Sequence, residues 1–452
     1  MADYDLIIVG GGPSGIVMGT TARKRFPDKT ALMITPEAKG MVPCGIPYVF
    51  HALGDIEKNV MAPKPFMAAG GVVVNGRVVS VDPERRSVTL CSGESHRYGK
   101  LVFATGSCPN VPSFLPGHDL AEGVVYVPKS YAGIDALRQV LSAARRVIVL
   151  GSGFTAVELA EQLAGDTSRD VHLVFRAAHC LHRSFSPEMA ASMDQAVAGS
   201  GVHLHPHCQV TEILGEGGKA VGIRLDDGRE LPADVVVVAM GYEPNTELAT
   251  QAGIPVNTHG QIVVDTYQRT PVEGIFAVGD CAQNIGFLTG NVDCIMLAST
   301  AAAEARVLGH NLYGVRIERD FPGTLSVFCT EIGGMAFASA GLRVEDAVAA
   351  NMDVVYGAFE DVDRHPGTLP GTSGLYAKLT VMRSTGQIIG GELRGGKSVG
   401  EMINTVALAI QKHVSVYEFL SFQIGTHPLL TTAPTKPVLI KAAEAAITKI
   451  DL

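Results

Sequence analysis

With 452 residues, 46% of them apolar and 18% charged, the chain has the composition of a multidomain protein that buries cores rather than staying disordered. A formal net charge of −9 works against extended contact with phosphate backbones, so nucleic acid is not an expected partner. The apolar run 235–240 is far short of the ~20 residues a membrane-spanning helix needs, so no stable membrane insertion is expected. The first strand-like run begins at Tyr4, which leaves no room for a secretory leader and implies a cytoplasmic location.

Residues 5–9 form a strand-like run that enters Gly10-Gly11-Gly12-Pro13-Ser14-Gly15 and then an Ala/Met/Thr-rich helical stretch. Gly10 suits the tight turn, Gly12 a close approach to a pyrophosphate at the helix start, and Gly15 close packing of helix on strand. This is a dinucleotide fingerprint, with Pro13 and Ser14 inside it. The next strand, 30–35, ends in Thr35 where an acid for the ribose is expected, and Glu37 stands two residues on as a substitute.

The stretch Met41-Val42-Pro43-Cys44-Gly45-Ile46-Pro47-Tyr48 places one cysteine where a loop enters a helix. The eight cysteines, at 44, 91, 108, 180, 208, 281, 294 and 329, include no CxxC pair and no zinc spacing, so no metal is expected. Most read as small buried hydrophobes in a reduced compartment. A helix over 51–53 follows, then a Val-rich strand pair over 71–81, a hairpin turn over 82–86 and a strand over 87–90. Residues 101–107 form a buried strand that ends in a small-residue turn containing Ala104, Thr105 and Gly106.

A second strand leads into Gly151-Ser152-Gly153-Phe154-Thr155-Ala156-Val157-Glu158, so the strand–turn–helix fingerprint occurs twice, and the pair is far more specific than either alone. The strand after it, 171–175, ends at Arg176, with Arg183 a short loop away. Arginine in place of the usual acid suits a 2′-phosphate, which favours NADPH, with NADH possible. The bland alternative is a solvated arginine on a loop. Strands at 202–204, 221–225 and 234–239 close this unit at Gly241. The strand 275–278 then runs into Gly279-Asp280, whose carboxylate can accept hydrogen bonds from cofactor hydroxyls or cap a helix. After Glu318 come strands at 376–382 and 388–393, a helix over 399–411, His427-Pro428, and an amphipathic helix from 435 to about 450.

These motifs, in this order, resemble the flavoprotein pyridine nucleotide-disulfide oxidoreductase superfamily over essentially the whole chain. The resemblance implies an α/β fold with two Rossmann-like dinucleotide-binding domains and a C-terminal α+β dimerisation domain. The boundaries expected are 1–115 with 245–317 for FAD, 116–244 for NAD(P)H and 318–452 for the interface of a homodimer. It further implies FAD held by Gly10, Gly12, Gly15, the Ala104-Thr105-Gly106 turn and Asp280 beside Gly279, with an adenine contact near Val78 and a flavin contact near Leu297 and Ala298. Gly151, Gly153, Phe154, Thr155, Glu158 and Gly241 fall to the nicotinamide nucleotide, with Arg176 and Arg183 on its 2′-phosphate, as in glutathione reductases.

Where glutathione reductase has two cysteines separated by four residues, this chain has Lys39 and Val49 five positions either side of Cys44. Cys44-Gly45-Ile46-Pro47-Tyr48 is instead similar to the single-cysteine branch, which includes coenzyme A disulfide reductases, persulfide reductases and NADH oxidases. In the two-cysteine enzymes a His-Pro histidine crosses the dimer as acid/base and a glutamate five residues on orients it. Here these positions are His427 and Thr432; the plain alternative for His427 is a surface or interface histidine. The expected activity is NAD(P)H-dependent reduction of a small disulfide, persulfide or polysulfide through Cys44, its thiolate favoured by a helix dipole. Alternatives are an oxidase or peroxidase using a Cys44 sulfenic acid, and an electron-delivery or redox-sensing flavoprotein that docks a protein. Lys39, Lys58 and Lys64 lie near Cys44 in sequence without forming an obvious basic cluster for coenzyme A.

Overall fold

The computed structural model describes residues 2–315, 317 and 320–450, so the boundary expected at Glu318 lies outside the described residues. Contacts between Cα atoms gather the chain into two compact units. Met1–Arg145, Ile213–Gly222 and Ala233–Thr324 form the first, and Arg146–Glu212, Ile223–Pro232 and Leu325–Leu452 the second.

In the first unit the strand Ala2–Val9 is flanked in parallel by Ala31–Thr35 and Ser95–Phe103, with Val72–Asn75 and Ile275–Ala277 extending the parallel set. The period of two along these strands sorts side chains into two separate cores. Ile7, Val9, Leu32, Ile34, Leu101 and Phe103 join one, while Leu6, Ile8, Ala31, Met33 and Val102 join the other. Burial on both faces is what a continuous apolar strand flanked by crossovers requires. Ile7 and Ile8 are each 0% exposed, so each contributes roughly 1.5–3 kcal/mol and truncation of either to alanine costs about 2–5 kcal/mol. The helices Pro13–Arg25 and Ala298–Asn311 cover one face with Ile16, Met18, Ala305 and Leu308. Val78–Asp82 and Ser87–Leu90 add the expected antiparallel hairpin, its turn at 83–86.

In the second unit Arg146–Leu150, Asp170–Val174 and Val202–His205 run parallel, connected through the helices Phe154–Ala164 and Pro187–Gly199. A five-stranded antiparallel sheet follows, in the order Phe328–Ile332, Met335–Gly341, Ile388–Gly395, Gly374–Met382, Val354–Val362. The helix Val399–Gln411 matches the expected run, and Val438–Ile450 starts after Pro437, three residues later than the pattern suggested. This helix presses on Gly357, where a Cβ would stand 1.9 Å from the Ala442 carbonyl oxygen. The α/β class with a C-terminal α+β region is therefore as expected. No helix among the described residues is long and apolar enough to cross a membrane.

One local expectation fails. Residues 51–53 form a turn, and the helical geometry falls upstream, in two consecutive 3₁₀ helices at Pro43–Gly45 and Pro47–Phe50. Pro47 has no N–H to donate to the Pro43 carbonyl, so an α-helical ladder cannot start there and the chain closes i to i+3 bonds instead.

Candidate functional site

The first glycine turn is set by close backbone contact. Gly10 has φ +119°, and a Cβ there would stand 2.0 Å from the Ala104 carbonyl oxygen; at Gly15 it would stand 2.2 Å from the Gly10 oxygen. Only glycine lets strand end and helix approach this closely. Gly12 is different: it caps the helix Pro13–Arg25 without a side-chain partner, and a Cβ on it meets nothing within 4 Å. The unsatisfied N–H groups of a thirteen-residue helix thus open onto space, the arrangement that accepts a phosphate oxygen.

Gly279 closes on this turn, since its Cβ position is 2.7 Å from Ser14 Oγ and 3.5 Å from Ala301 in the helix whose N-cap is Leu297 and first residue Ala298. Asp280 sits inside the 3₁₀ turn Gly279–Cys281, where its Oδ2 accepts hydrogen bonds from Ser107 Oγ and Lys129 Nζ, both at 2.7 Å. Lys129 also stands 4.3 Å from the centre of the Tyr242 ring. Thr105 Oγ1 donates to the Asn245 carbonyl at 2.6 Å, and Gly106, at φ +69°, faces open space. Gly10, Ser14, Gly15, Ala104, Gly279 and Asp280 are thereby brought together. Val78 instead packs on the core cluster containing Leu90. Glu304 is fully buried; its Oε2 accepts the Gly279 N–H at 2.8 Å and its Oε1 finds no hydrogen-bond partner among the described residues. Burial pushes this carboxyl up to about 8, the Gly279 bond opposing and the Asp280 charge reinforcing the rise.

Glu37 has a use the sequence did not reveal. Its carboxylate accepts the backbone N–H of Tyr131 at 2.8 Å and of Ala132 at 3.3 Å, at the start of the helix Tyr131–Ser142. A carboxylate there complements the helix dipole. Thr35 fills the strand-end position, its Oγ1 2.9 Å from where a Gly11 Cβ would stand.

Cys44 is exposed, and none of the eight cysteines forms a disulfide. Burial pushes the Cys180, Cys281, Cys294 and Cys329 thiols up, which disfavours their thiolates. Cys44 lies in a single 3₁₀ turn, so the expected help from an α-helix dipole is absent: one turn aligns too few peptide dipoles. What holds the turn is Asn59, buried to 4% exposure, which sequence reasoning missed. Its Nδ2 donates to the Val42 carbonyl and its own carbonyl accepts the Val42 N–H, each at 3.0 Å. A Cβ on Gly45 would stand 2.0 Å from Asn59 Oδ1, so any side chain beside the thiol would displace the Asn59 amide. Of the nearby lysines, Lys39 pairs with Glu57 at 2.6 Å and Lys58 donates to the Leu53 carbonyl at 2.9 Å. Tyr131 donates to the same Glu57 oxygen at 2.5 Å, and these two donors hold the Glu57 carboxyl below its ordinary value.

At the second glycine turn Gly151 has φ +134° and Gly153 caps the helix Phe154–Ala164, again with nothing within 4 Å of a Cβ. Phe154 stacks on Phe328 with ring centres 5.2 Å apart. Glu158 accepts from Thr330 Oγ1 at 2.8 Å, and burial pushes its carboxyl up to about 7. Arg176 and Arg183 are both exposed, and neither pairs with a carboxylate among the described residues. Gly241, at φ +101°, groups with the first compact unit, its carbonyl accepting the Asn110 N–H at 3.0 Å.

His427 is exposed in the second unit, while Cys44 is in the first. Its Nδ1 accepts the Leu429 N–H at 3.2 Å, so in the neutral ring the proton resides on Nε2. Thr431, not Thr432, holds its backbone: Thr431 Oγ1 accepts the His427 N–H at 3.0 Å. His365, another residue the sequence gave no reason to choose, supports this loop by donating its N–H to the Pro428 carbonyl at 3.1 Å.

Open space before two helix N-termini and a lysine-braced carboxylate suit two dinucleotides. A family model, pyridine nucleotide-disulphide oxidoreductase, matches residues 4–305, and the dimerisation domain of that family matches residues 330–438. The chain belongs to this family. It is an FAD-dependent pyridine nucleotide-disulfide oxidoreductase acting on NAD(P)H. It is similar to an NADH oxidase of Methanocaldococcus jannaschii, 28% identical over 98% of this chain and 99% of that protein. It is also similar to an NAD(P)H coenzyme A polysulfide/persulfide reductase of Pyrococcus horikoshii, 28% identical over 86% of this chain and 87% of that one. Among solved structures, a water-forming NADH oxidase of Lactobacillus brevis bound to NADH and its engineered NADPH-oxidase mutant bound to NADPH each align with a TM-score of 0.88. Each is 25% identical and covers 99% of both chains.

Proposed function

We propose that this chain is an NADPH-preferring reductase of a small disulfide, persulfide or polysulfide, working as a homodimer through Cys44. The proposed domains are 1–115 with 245–317, 116–244 and 318–452. The observation that carries the reading is an exposed Cys44 on a backbone pinned by Asn59, with no cysteine five positions to either side. The polysulfide/persulfide reductase among its relatives supports the same substrate class.

FAD is assigned to Gly10, Gly12, Pro13, Ser14, Gly15, Ala104, Thr105, Gly106, Gly279 and Asp280, with Val78, Leu297 and Ala298 at its two ends. Lys129 holds Asp280 in place as an acceptor for hydroxyls. When bound, the flavin carries the electron pair of the nicotinamide to sulfur. The second turn is assigned to NADPH, with Arg176 and Arg183 on its 2′-phosphate and Glu158 on the buried side of the helix. The engineered NADPH oxidase supports this: relative to its NADH-binding parent it has lost an aspartate and gained two arginines, among five substitutions.

Cys44 Sγ, as thiolate, attacks one sulfur of the acceptor; a new S–S bond forms to Cys44 and the old one breaks, releasing the second sulfur with the electron pair. His427 of the partner subunit offers its Nε2–H as a hydrogen bond to that leaving sulfur, since Nδ1 is occupied by the Leu429 N–H, and the proton the sulfur takes up comes from water. Two electrons from NADPH then break the S–S bond on Cys44, returning Cys44 to thiolate and releasing the bound fragment as a second thiolate. A second reading, oxygen or peroxide reduction through a Cys44 sulfenic acid, is favoured by the NADH oxidase that matches nearly the whole chain.

Cys44→Ser tests the proposal. The variant retains FAD and NADPH-dependent flavin bleaching but loses turnover of coenzyme A disulfide or polysulfide by roughly 10³-fold or more. Undiminished turnover in the variant refutes it, and oxygen or peroxide consumption without any sulfur acceptor transfers the assignment to the second reading.

A further inference from the structure

We infer that Arg343, far from the nucleotide motifs in sequence, is a positioning residue for nucleotide discrimination, because it fixes the backbone that carries Arg183. The inference rests on the NADPH reading above.

Residues 176–185 leave the strand Asp170–Val174 without regular secondary structure, yet backbone groups on both sides of Arg183 are tied down. The buried Leu181 adopts φ +51° and donates its N–H to the Ser152 carbonyl of the second glycine turn at 2.8 Å. Arg343 Nη1 donates to the His182 carbonyl and, at 3.0 Å, to the Phe185 carbonyl. Its Nε and Nη2 hold Asp346 in a two-pronged pair at 2.7 and 2.6 Å. The whole guanidinium is thus spent on two carbonyls that bracket Arg183 and on one carboxylate that keeps it oriented. Ser339 Oγ donates to the Ser184 carbonyl at 2.9 Å, and the Ser186 N–H donates to Glu392 Oε1 at 2.6 Å. On the other side of the loop, His179 Nδ1 meets Asp194 Oδ2 at 2.7 Å and the Cys180 N–H donates to Asp194 Oδ1 at 2.9 Å.

The Arg183 side chain is exposed on this fixed base. An arginine that must grip a phosphate loses rotamer entropy on binding, and a mobile backbone beneath it would add a larger loss. Arg343 removes the backbone part in advance. Lysine cannot replace it, because a single ammonium does not span two carbonyls and both oxygens of a carboxylate in a plane. The effect is confined to NADPH, since NADH has no group for Arg183 to grip.

The test is Arg343→Lys in the FAD-loaded enzyme, with KM and kcat measured for NADPH and NADH, and with adenosine 2′,5′-bisphosphate and AMP titrated by calorimetry. The expected result is a KM for NADPH raised about tenfold with kcat retained, a KM for NADH within about twofold of wild type, and loss of bisphosphate but not AMP affinity. Ser339→Ala, which removes one tie, shifts the same ratio by about 2–3-fold. Equal loss with both nucleotides marks a merely structural residue and overturns the inference. If Arg183→Ala abolishes NADPH preference and Arg343→Lys leaves it intact, the positioning role falls and the NADPH reading stands. If Arg176→Ala and Arg183→Ala both leave the preference intact, the NADPH reading falls and this inference with it.

Discussion

The two glycine turns begin alike and end differently. Gly10 and Gly151 both sit beyond φ +100°, and Gly12 and Gly153 both cap a helix with open space ahead. Past that point the first turn is closed by backbone against backbone, with Glu304 and Asp280 set in or beside the core. The second ends in exposed arginines on an irregular loop. One site is specified by fit and the other by charge. On the proposed assignment that is the contrast between a cofactor that stays and a co-substrate that must leave every cycle.

The contrast breaks most sharply at the glycines. Gly10→Ala forces a Cβ to 2.0 Å from the Ala104 oxygen at a φ that side chains rarely adopt, so the purified variant should contain almost no FAD. Gly153→Ala meets nothing within 4 Å and should keep its FAD and fold; flavin absorbance per mole of protein distinguishes the two. Equal loss at both positions would erase the difference. A smaller effect belongs to Arg176→Ala, for which the KM for NADPH is expected to rise roughly 10–100-fold while that for NADH and the FAD content hold steady. Steady-state kinetics with both nucleotides reads this directly.

The smallest effect is a pH slope in stability. Burial pushes the folded Glu304 carboxyl up to about 8 from an ordinary 4.5, so the folded state favours its protonated form. Its contribution is fully present below about 4.5 and is lost as pH rises through about 8. Melting curves from about pH 5 to about pH 9 should therefore show wild type losing stability relative to Glu304→Gln, whose side chain cannot ionise. Parallel curves would mean that the carboxyl is not held protonated.

Contiguous features were readable from the chain: the strand before each glycine turn, the hairpin at 78–90 and the helix Val399–Gln411 all carry their signal within a dozen or so residues. What escaped is set by distant partners. Lys129 reaches Asp280 across 151 residues, Glu37 reaches the helix at Tyr131 across 94, and Arg343 reaches Phe185 across 158. No local pattern marks such pairs, because each residue type is ordinary where it stands. The helix expected at 51–53 fails for a local reason: Pro43 and Pro47 each open a 3₁₀ turn and draw the helical geometry upstream.

The Asn59 clamp on Val42 bears on timing. A redox thiol on a loose loop would rearrange its backbone at each change of oxidation state, on the order of nanoseconds to microseconds or slower. Beneath Cys44 the backbone is held from one side by two hydrogen bonds and blocked at Gly45 by the Asn59 oxygen. Sulfur can then change partners by rotation about its own side-chain bonds, which takes roughly picoseconds to nanoseconds. On the proposed assignment, the backbone beneath Cys44 has no need to rearrange as its sulfur changes partners.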